Sequence, residues 1–153
     1  MGTTPNYGLR YPDPTDNVEL WTHIQNLAED IDTDVATAVG IASDVTIGTA
    51  DTGFSASTQQ AWTALDGRLI DINVFLNRSG ADITQTNSNI PDTACFTLDA
   101  AYWPSEIRNG TYGNGSMGGE WSISTVGVIT LRSASYTIVS GTNVRICATY
   151  MRS

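Results

Sequence analysis

The amino-acid sequence predicts a mainly β protein with one N-terminal helix: an antiparallel β-sandwich or jelly-roll-like head carried on a short parallel helical bundle. Three observations support this prediction. Apolar residues between positions 16 and 42 recur at helical spacing, whereas the spacing from position 62 onwards is two. The chain has 153 residues and 41% hydrophobic content, enough for one domain or for a small domain with an appendage.

Changes in composition divide the chain into segments. Prolines and glycines are concentrated before the helical pattern, and a polar stretch containing Gly48 and Gly53 separates that pattern from the first clear alternation. We therefore expect an extended N-terminal arm (1–15), a helical stalk (16–42), a junction (43–60) and a β-sandwich head (61–153).

The arm is expected to be extended without regular structure, because its prolines cannot donate backbone hydrogen bonds. Tyr7, Leu9 and Tyr11 are spaced two apart, so an extended backbone would place them on one side. We interpret these residues as an anchor that attaches the arm to another protein. The alternative is a disordered tail, although the aromatic and apolar content is high for one.

A stripe of apolar residues organises the predicted helix. Thr15 or Asp16 is a suitable N-cap, and apolar side chains then recur in steps of four and three until Asp34 interrupts them. Each buried side chain is worth roughly 1.5–3 kcal/mol, whereas ordering the helix costs about 1–2 kcal/mol per residue. The stripe therefore needs a partner surface, either copies of the same helix or the chain's own domain. Ile and Leu at its alternating positions favour a coiled coil of two helices. The predicted oligomer seam consists of Leu20, Ile24, Leu27, Ile31, Val35 and Ala38.

Alternating segments predict the strands of the head. Asp66-Gly67 is a two-residue hairpin signal between two of them. The glycine-rich run at 109–119 is expected to be a long loop that offers Tyr112 and Met117 at its surface. The expected strands are 45–49, 62–65, 68–77, 93–98, 120–124, 128–133, 136–139 and 143–150.

Charge and composition exclude several classes of partner. A formal net charge of −9 argues against duplex nucleic acid or an anionic membrane, both of which reward clustered cations. No apolar run is long enough to span a membrane and no signal peptide is recognisable, so we expect synthesis in a cytosol. In that compartment Cys95 and Cys147 are expected to be reduced thiols rather than a disulfide.

The sequence does not predict an enzyme, a metal site or a cofactor. His23 is the single histidine and lies on the predicted helix, where no nucleophile is placed beside it. Asp30, Asp32 and Asp34 lack the glycine and glutamate of a calcium loop. Acidic residues of the head show no spacing that selects a pair for glycan hydrolysis.

Aromatic residues in or beside loops are candidates for sugar binding, because a ring with a polar edge can stack on a sugar and also hydrogen-bond to it. These candidate glycan-binding residues are Tyr102, Trp103, Tyr112 and Tyr136. Trp103-Pro104 has a simpler interpretation as a plug at a strand end. Trp62 and Trp121 lie within predicted strands and are expected in the core.

The run YGLRYPDPTDNVELWTHIQNLAEDID resembles the opening of minor virion proteins of tailed phages that infect actinobacteria. The runs RLIDINVFLNRSGADI, FTLDAAYWPS and GEWSISTVGVITLRS, the last leading to VRICATYMR, resemble head domains of phage tail-fibre and receptor-binding proteins. Asp99 and Ala101 stand where that pattern usually has Pro and Gly, and the chain is shorter than most tail fibres.

This resemblance implies a homotrimeric virion fibre, docked on the particle through Tyr7, Leu9 and Tyr11, with its head outward. The implied partners are sister subunits, other virion proteins and a host cell-wall polysaccharide, with no nucleic acid or membrane insertion. The alternative is a capsid-decorating spike with a structural role and no receptor.

Overall fold

A computed structural model describes residues 2–3, 10–11, 24–30, 39–40, 46–65 and 67–152. The chain forms two compact units, Met1–Gly40 and Ile41–Ser153.

The first unit contains short elements. Strand β1 (Gly2–Thr3) pairs antiparallel with β2 (Arg10–Tyr11), so part of the predicted arm has regular structure. Residues 24–30 are helical, as expected for the predicted stalk. Strand β3 (Val39–Gly40) lies inside the predicted stalk, so the helix prediction is wrong for these two residues. A β-branched residue followed by glycine is a poor helix former, which explains the difference.

The second unit is an antiparallel sheet in which the described strands have the order β5-β6-β11-β8-β9-β10-β7-β4. The first and last strands of this order, β5 and β4, are consecutive in the chain, and the Phe54 amide donates to the Asp51 carbonyl in the turn that joins them. The sheet therefore curls into a barrel-like form. Its strands are β4 (Gly48–Ala50), β5 (Phe54–Ala64), β6 (Leu69–Arg78), β7 (Asn89–Leu98), β8 (Arg108–Gly113), β9 (Gly118–Ile123), β10 (Val128–Ser133) and β11 (Asn143–Met151).

The period-two alternation places the core where the sequence predicts it. Buried and half-buried residues alternate along β6, and buried and exposed residues alternate along β11. Their inward side chains pack in register, with Ile72 opposite Ala148 and Val74 opposite Ile146. The prediction of a mainly β, antiparallel head is confirmed.

Two strand predictions differ from the structure. Strand β5 begins at Phe54, so residues 43–60, expected as a junction, contain β4 and the first part of β5. Residues 136–139 make only an isolated bridge between Ile138 and Ile83. Neighbouring loop residues are exposed there, so the short apolar run is a single contact with the core.

The glycine-rich run at 109–119 was expected to be a long loop, and this expectation is wrong. It forms most of the hairpin β8–β9, closed by a turn in which the Asn114 side chain accepts hydrogen bonds from the Ser116 and Met117 amides. Two of its glycines, Gly110 and Gly119, are required by close packing. A Cβ atom on Gly110 would lie 2.3 Å from the Trp121 ring, and one on Gly119 would lie 2.0 Å from the Ser133 carbonyl oxygen.

Both cysteines are free thiols. Cys95 is buried, and its Sγ contacts the Ile129 carbonyl oxygen at 3.4 Å. Burial, with a smaller contribution from Asp51, raises the pKa of the Cys95 thiol. Cys147 is exposed on β11. Within the described ranges, no helix is long and apolar enough to cross a bilayer.

Candidate ligand-binding groove

The outward face of β8, β9 and β10 forms an open groove of about 640 Å³. On all three strands one set of alternating side chains enters the core, and the other set faces the groove. We call this surface the groove face. Its lining residues are Ile107, Asn109, Gly110, Thr111, Glu120, Trp121, Ser122, Ser124, Val128, Thr130 and Arg132.

Close packing between two strands forms the floor of the groove. Trp121 is 4% exposed, and its ring lies against Gly110, its cross-strand partner. The indole Nε1–H donates to the Thr111 carbonyl oxygen at 2.9 Å. Because the ring packs on Gly110 and its Nε1–H is hydrogen-bonded within the protein, Trp121 is a structural residue of the floor.

Polar side chains without protein partners occupy the middle of the groove. Within the described residues, none of these side chains makes a hydrogen bond: Asn109, Thr111, Glu120, Ser122 and Thr130. Ser124 differs, because its Oγ accepts a hydrogen bond from the Val128 amide at 3.1 Å. Hydroxyl groups can both donate and accept, an amide does both through different atoms, and a carboxylate only accepts. The groove therefore offers acceptors and donors to a ligand that is rich in the same groups.

Glu120 and Arg132 are the charged residues that line the groove. The Arg132 Nε lies 3.0 Å from the Asp92 Oδ1, and both side chains are about half exposed. Glu120 is exposed and forms no ion pair within the described residues. The lining thus contains one carboxylate, whereas glycoside hydrolysis generally uses two facing ones. The arrangement is suited to binding by hydrogen bonds.

An apolar rim flanks these polar groups at one end of the groove. Ile107 is 64% exposed, and Val128 is half-buried. Trp103 lies against Gly127, the residue before Val128, with its indole Cδ1 2.4 Å from a Cβ built on that glycine. A sugar has both apolar C–H surfaces and hydroxyl groups, so a mixed lining of this kind matches it.

The structure does not bring the four predicted aromatic residues together. Tyr102 and Trp103 follow β7, at the end of the sheet where β10 begins, and Tyr136 lies in the loop after β10 at the other end. Tyr102 is half-buried against the core. Trp103 donates from Nε1 to the Leu98 carbonyl oxygen at 2.8 Å, so it has the contacts of a strand-end plug.

Tyr112 is 4% exposed, and the expectation that a loop offers it at the surface is wrong. Its hydroxyl donates to the Ser133 carbonyl oxygen at 2.8 Å, and burial raises the pKa of Tyr112 to about 12. Tyr136 is 65% exposed and is the most accessible of the four rings. Trp62, expected in the core, is half-buried on the outward side of β5 opposite Asp71, whereas Trp121 is buried as expected.

Parts of the predicted seam and anchor lie within the described residues. Ile24 is 52% exposed and Leu27 is 39% exposed on the helical segment 24–30. The backbone of Tyr11 belongs to β2. The other predicted residues lie outside the described ranges: Leu20, Ile31, Val35 and Ala38 of the seam, and Tyr7 and Leu9 of the anchor.

Sequence reasoning did not identify the groove residues as a group. The sequence pattern places Asn109 and Thr111 in a loop, and it places Glu120, Ser122 and Thr130 in strands. The sequence does show polar residues that alternate with core residues in three consecutive strands. That signal becomes a site only when β8, β9 and β10 are known to be neighbours in one sheet.

The curled antiparallel sheet is a fold that is also seen in phage receptor-binding proteins. One such structure is the crystal structure of the receptor binding protein (gp15) of Listeria phage PSA. It aligns with a TM-score of 0.65 over 92% of this chain and 82% of that chain, at 15% sequence identity. No protein-family model matches this chain, and no curated protein matches it. The likeness therefore establishes the fold.

Proposed function

We propose that this chain is a structural protein of a bacteriophage virion that acts as an adhesin and binds a glycan of the host surface in the groove. The observation that carries the proposal is the row of polar side chains on the groove face that have no protein partner within the described residues. The fold supports it, because a similar solved structure is that of a phage receptor binding protein. The function is binding without catalysis.

The proposed assembly is a short homotrimeric fibre. Its support is the exposure of Ile24 and Leu27, large apolar side chains that lie next to each other on one side of a helix. Association of three copies through the predicted seam would remove these side chains from water. In this arrangement Tyr7, Leu9 and Tyr11 of the arm attach the fibre to other virion proteins.

Binding of the full-length chain to host cells tests the adhesin function. A fluorophore can be attached at Cys147, which is exposed on β11 and does not line the groove. We expect the labelled chain to bind cells of the bacterium that the phage infects, and the unlabelled chain to block phage adsorption. Ser122→Trp places a large ring in the groove and should lower cell binding at least tenfold.

Thr149→Trp is the matched control, because Thr149 is an exposed strand residue on β11 that does not line the groove. This variant should bind cells like the parent chain. If the parent chain does not bind cells and antibodies against it label phage capsids, the protein is a capsid-decorating spike and the adhesin proposal is wrong. Shortening of the host polysaccharide by the purified chain would contradict binding without catalysis.

A further inference from the structure

We propose that the groove selects an uncharged glycan and excludes glycans that carry phosphate or carboxylate groups. This inference rests on the proposed function and adds the chemical class of the ligand. It follows from the charges of the groove, from the contacts that arginines make elsewhere in the chain, and from the groove side chains that have no hydrogen-bond partner within the described residues.

Among the described residues that line the groove, the one cation is already paired with a carboxylate. Arg132 is the one guanidinium among the lining residues, and the Asp92 carboxylate lies 3.0 Å from its Nε. Glu120 is exposed on the neighbouring strand and faces the same side as Arg132. Two carboxylates thus accompany one guanidinium, and the surface carries a net negative charge. Phosphate recognition by arginine uses several N–H donors of the guanidinium together, and here the Nε donor already faces a carboxylate.

Three other arginines of the chain are used for internal contacts. The chain contains seven Lys and Arg residues, and all of them are arginine. Arg78 is buried and donates to the Gly53 and Ala81 carbonyl oxygens, and Arg152 donates to the Ala101 carbonyl oxygen. Arg145 lies over the Phe75 ring. With a net charge of −9, the field of the whole chain also repels an anionic polymer.

The open groups of the groove match an uncharged sugar. The Glu120 carboxylate accepts hydrogen bonds and cannot donate them, so it needs O–H or N–H groups from the ligand. Thr111, Ser122 and Thr130 provide hydroxyl groups that adapt to either role. A neutral glycan supplies hydroxyl and acetamido groups for both. A phosphate or carboxylate on the ligand would instead place a second acceptor beside Glu120.

A microarray of bacterial glycans, containing both uncharged members and members with phosphate or carboxylate groups, tests the selection with the full-length chain. We expect the bound glycans to be uncharged and their binding to be almost independent of salt. Glu120→Gln removes the charge at nearly constant shape and should weaken binding about tenfold, the loss of one charge-assisted hydrogen bond. Arg132→Gln should weaken binding less than Glu120→Gln does, because the Arg132 Nε already pairs with the Asp92 carboxylate.

The outcomes separate this inference from the proposed function. Binding of phosphate- or carboxylate-bearing glycans that is lost in Ser122→Trp would overturn the charge selection while leaving a glycan adhesin. A larger loss in Arg132→Gln than in Glu120→Gln would also overturn it, as would a steep fall in binding of the parent chain with salt. If no glycan binds and Ser122→Trp still binds cells like the parent chain, the groove is not the receptor site and both proposals fail.

Discussion

Two outward faces of the same sheet differ in the hydrogen bonds that their polar side chains make. On β5, β6 and β11, which we call the β6 face, polar groups bind one another. The Thr149 Oγ1 donates to the Asp71 Oδ2 at 2.5 Å, and the Asn77 Nδ2 donates to the Asn143 Oδ1 at 3.2 Å. On the groove face, five outward side chains make no hydrogen bonds within the described residues: Asn109, Thr111, Glu120, Ser122 and Thr130.

The strands beneath the two faces also differ. Strands β5, β6 and β11 contain no glycine, and their long pairings are held by side chains on both sides. Strands β8 and β9 contain Gly110, Gly113, Gly118 and Gly119. On the β6 face, side chains that hydrogen-bond to one another stabilise the sheet. On the groove face, side chains without such bonds lie on closely packed strands and can hydrogen-bond to a ligand. The predictions below test this difference.

The largest effect on stability is expected where β9 packs against β10 beneath the groove face. A Cβ on Gly119 would lie 2.0 Å from the Ser133 carbonyl oxygen and 2.7 Å from the Tyr112 ring. Gly119→Ala must therefore push β10 away from β9 and should lower the free energy of unfolding by about 3 kcal/mol. Chemical denaturation measures this change.

Gly113→Ala is the control for that variant, because it lies in the same hairpin and its added Cβ would meet the nearest atom, the Met117 carbonyl oxygen, at 3.4 Å. We expect its free energy of unfolding to stay within about 1 kcal/mol of the parent chain. Equal losses in the two variants would show that the glycines are not there for close packing.

An intermediate effect on stability is expected from Tyr112, whose side chain on β8 hydrogen-bonds to β10. Tyr112→Phe removes the 2.8 Å hydrogen bond to the Ser133 carbonyl oxygen and should cost about 0.5–1.5 kcal/mol. Burial raises the pKa of Tyr112 from 10.0 to about 12, so the unfolded chain loses this proton at lower pH than the folded chain. Stability from this group is complete below pH 10 and is lost as the pH rises towards 12.

Denaturation curves collected on both sides of this pH window test the sign. The parent chain should lose more stability between pH 10 and 12 than Tyr112→Phe does. A residual loss is expected in the variant, since burial also raises the pKa of Tyr150. An equal or steeper fall in Tyr112→Phe would contradict the buried, hydrogen-bonded position of this ring.

The smallest effect on stability, and the sharpest comparison, comes from one substitution made on each face. Thr149→Val removes the hydrogen bond to Asp71 on the β6 face and should cost up to about 1 kcal/mol with no change in cell binding. Thr130→Val removes a hydroxyl with no protein partner and should change stability by less than about 0.5 kcal/mol while it weakens cell binding. The reverse pattern would assign the ligand to the β6 face.

Strands with uninterrupted alternation could be predicted from the sequence. The pattern in β6, β10 and β11 specifies both the element and the side that faces the core, because each strand has one buried side. Strand β8 could not be predicted, since its glycines are typical of flexible loops. The position of the Trp121 ring explains Gly110, and that position depends on packing between strands that the sequence alone does not show to pair.

The candidate site was still less accessible to sequence reasoning. Aromatic residues near loops are reasonable candidates for sugar binding, but Tyr112 and Trp103 use their polar atoms for the Ser133 and Leu98 carbonyl oxygens. The groove consists of small polar residues, each ordinary at an exposed strand position. Only the sheet order brings the outward residues of β8, β9 and β10 together.

The most direct test of the groove is to follow the backbone amides by NMR while polysaccharide purified from the host cell wall is added to the full-length chain. The account predicts that shifts concentrate on the groove face, around Asn109, Thr111, Glu120, Ser122 and Thr130, while Asp71 and Thr149 on the β6 face remain unchanged. Shifts confined to the β6 face, with none on β8, β9 or β10, would contradict it.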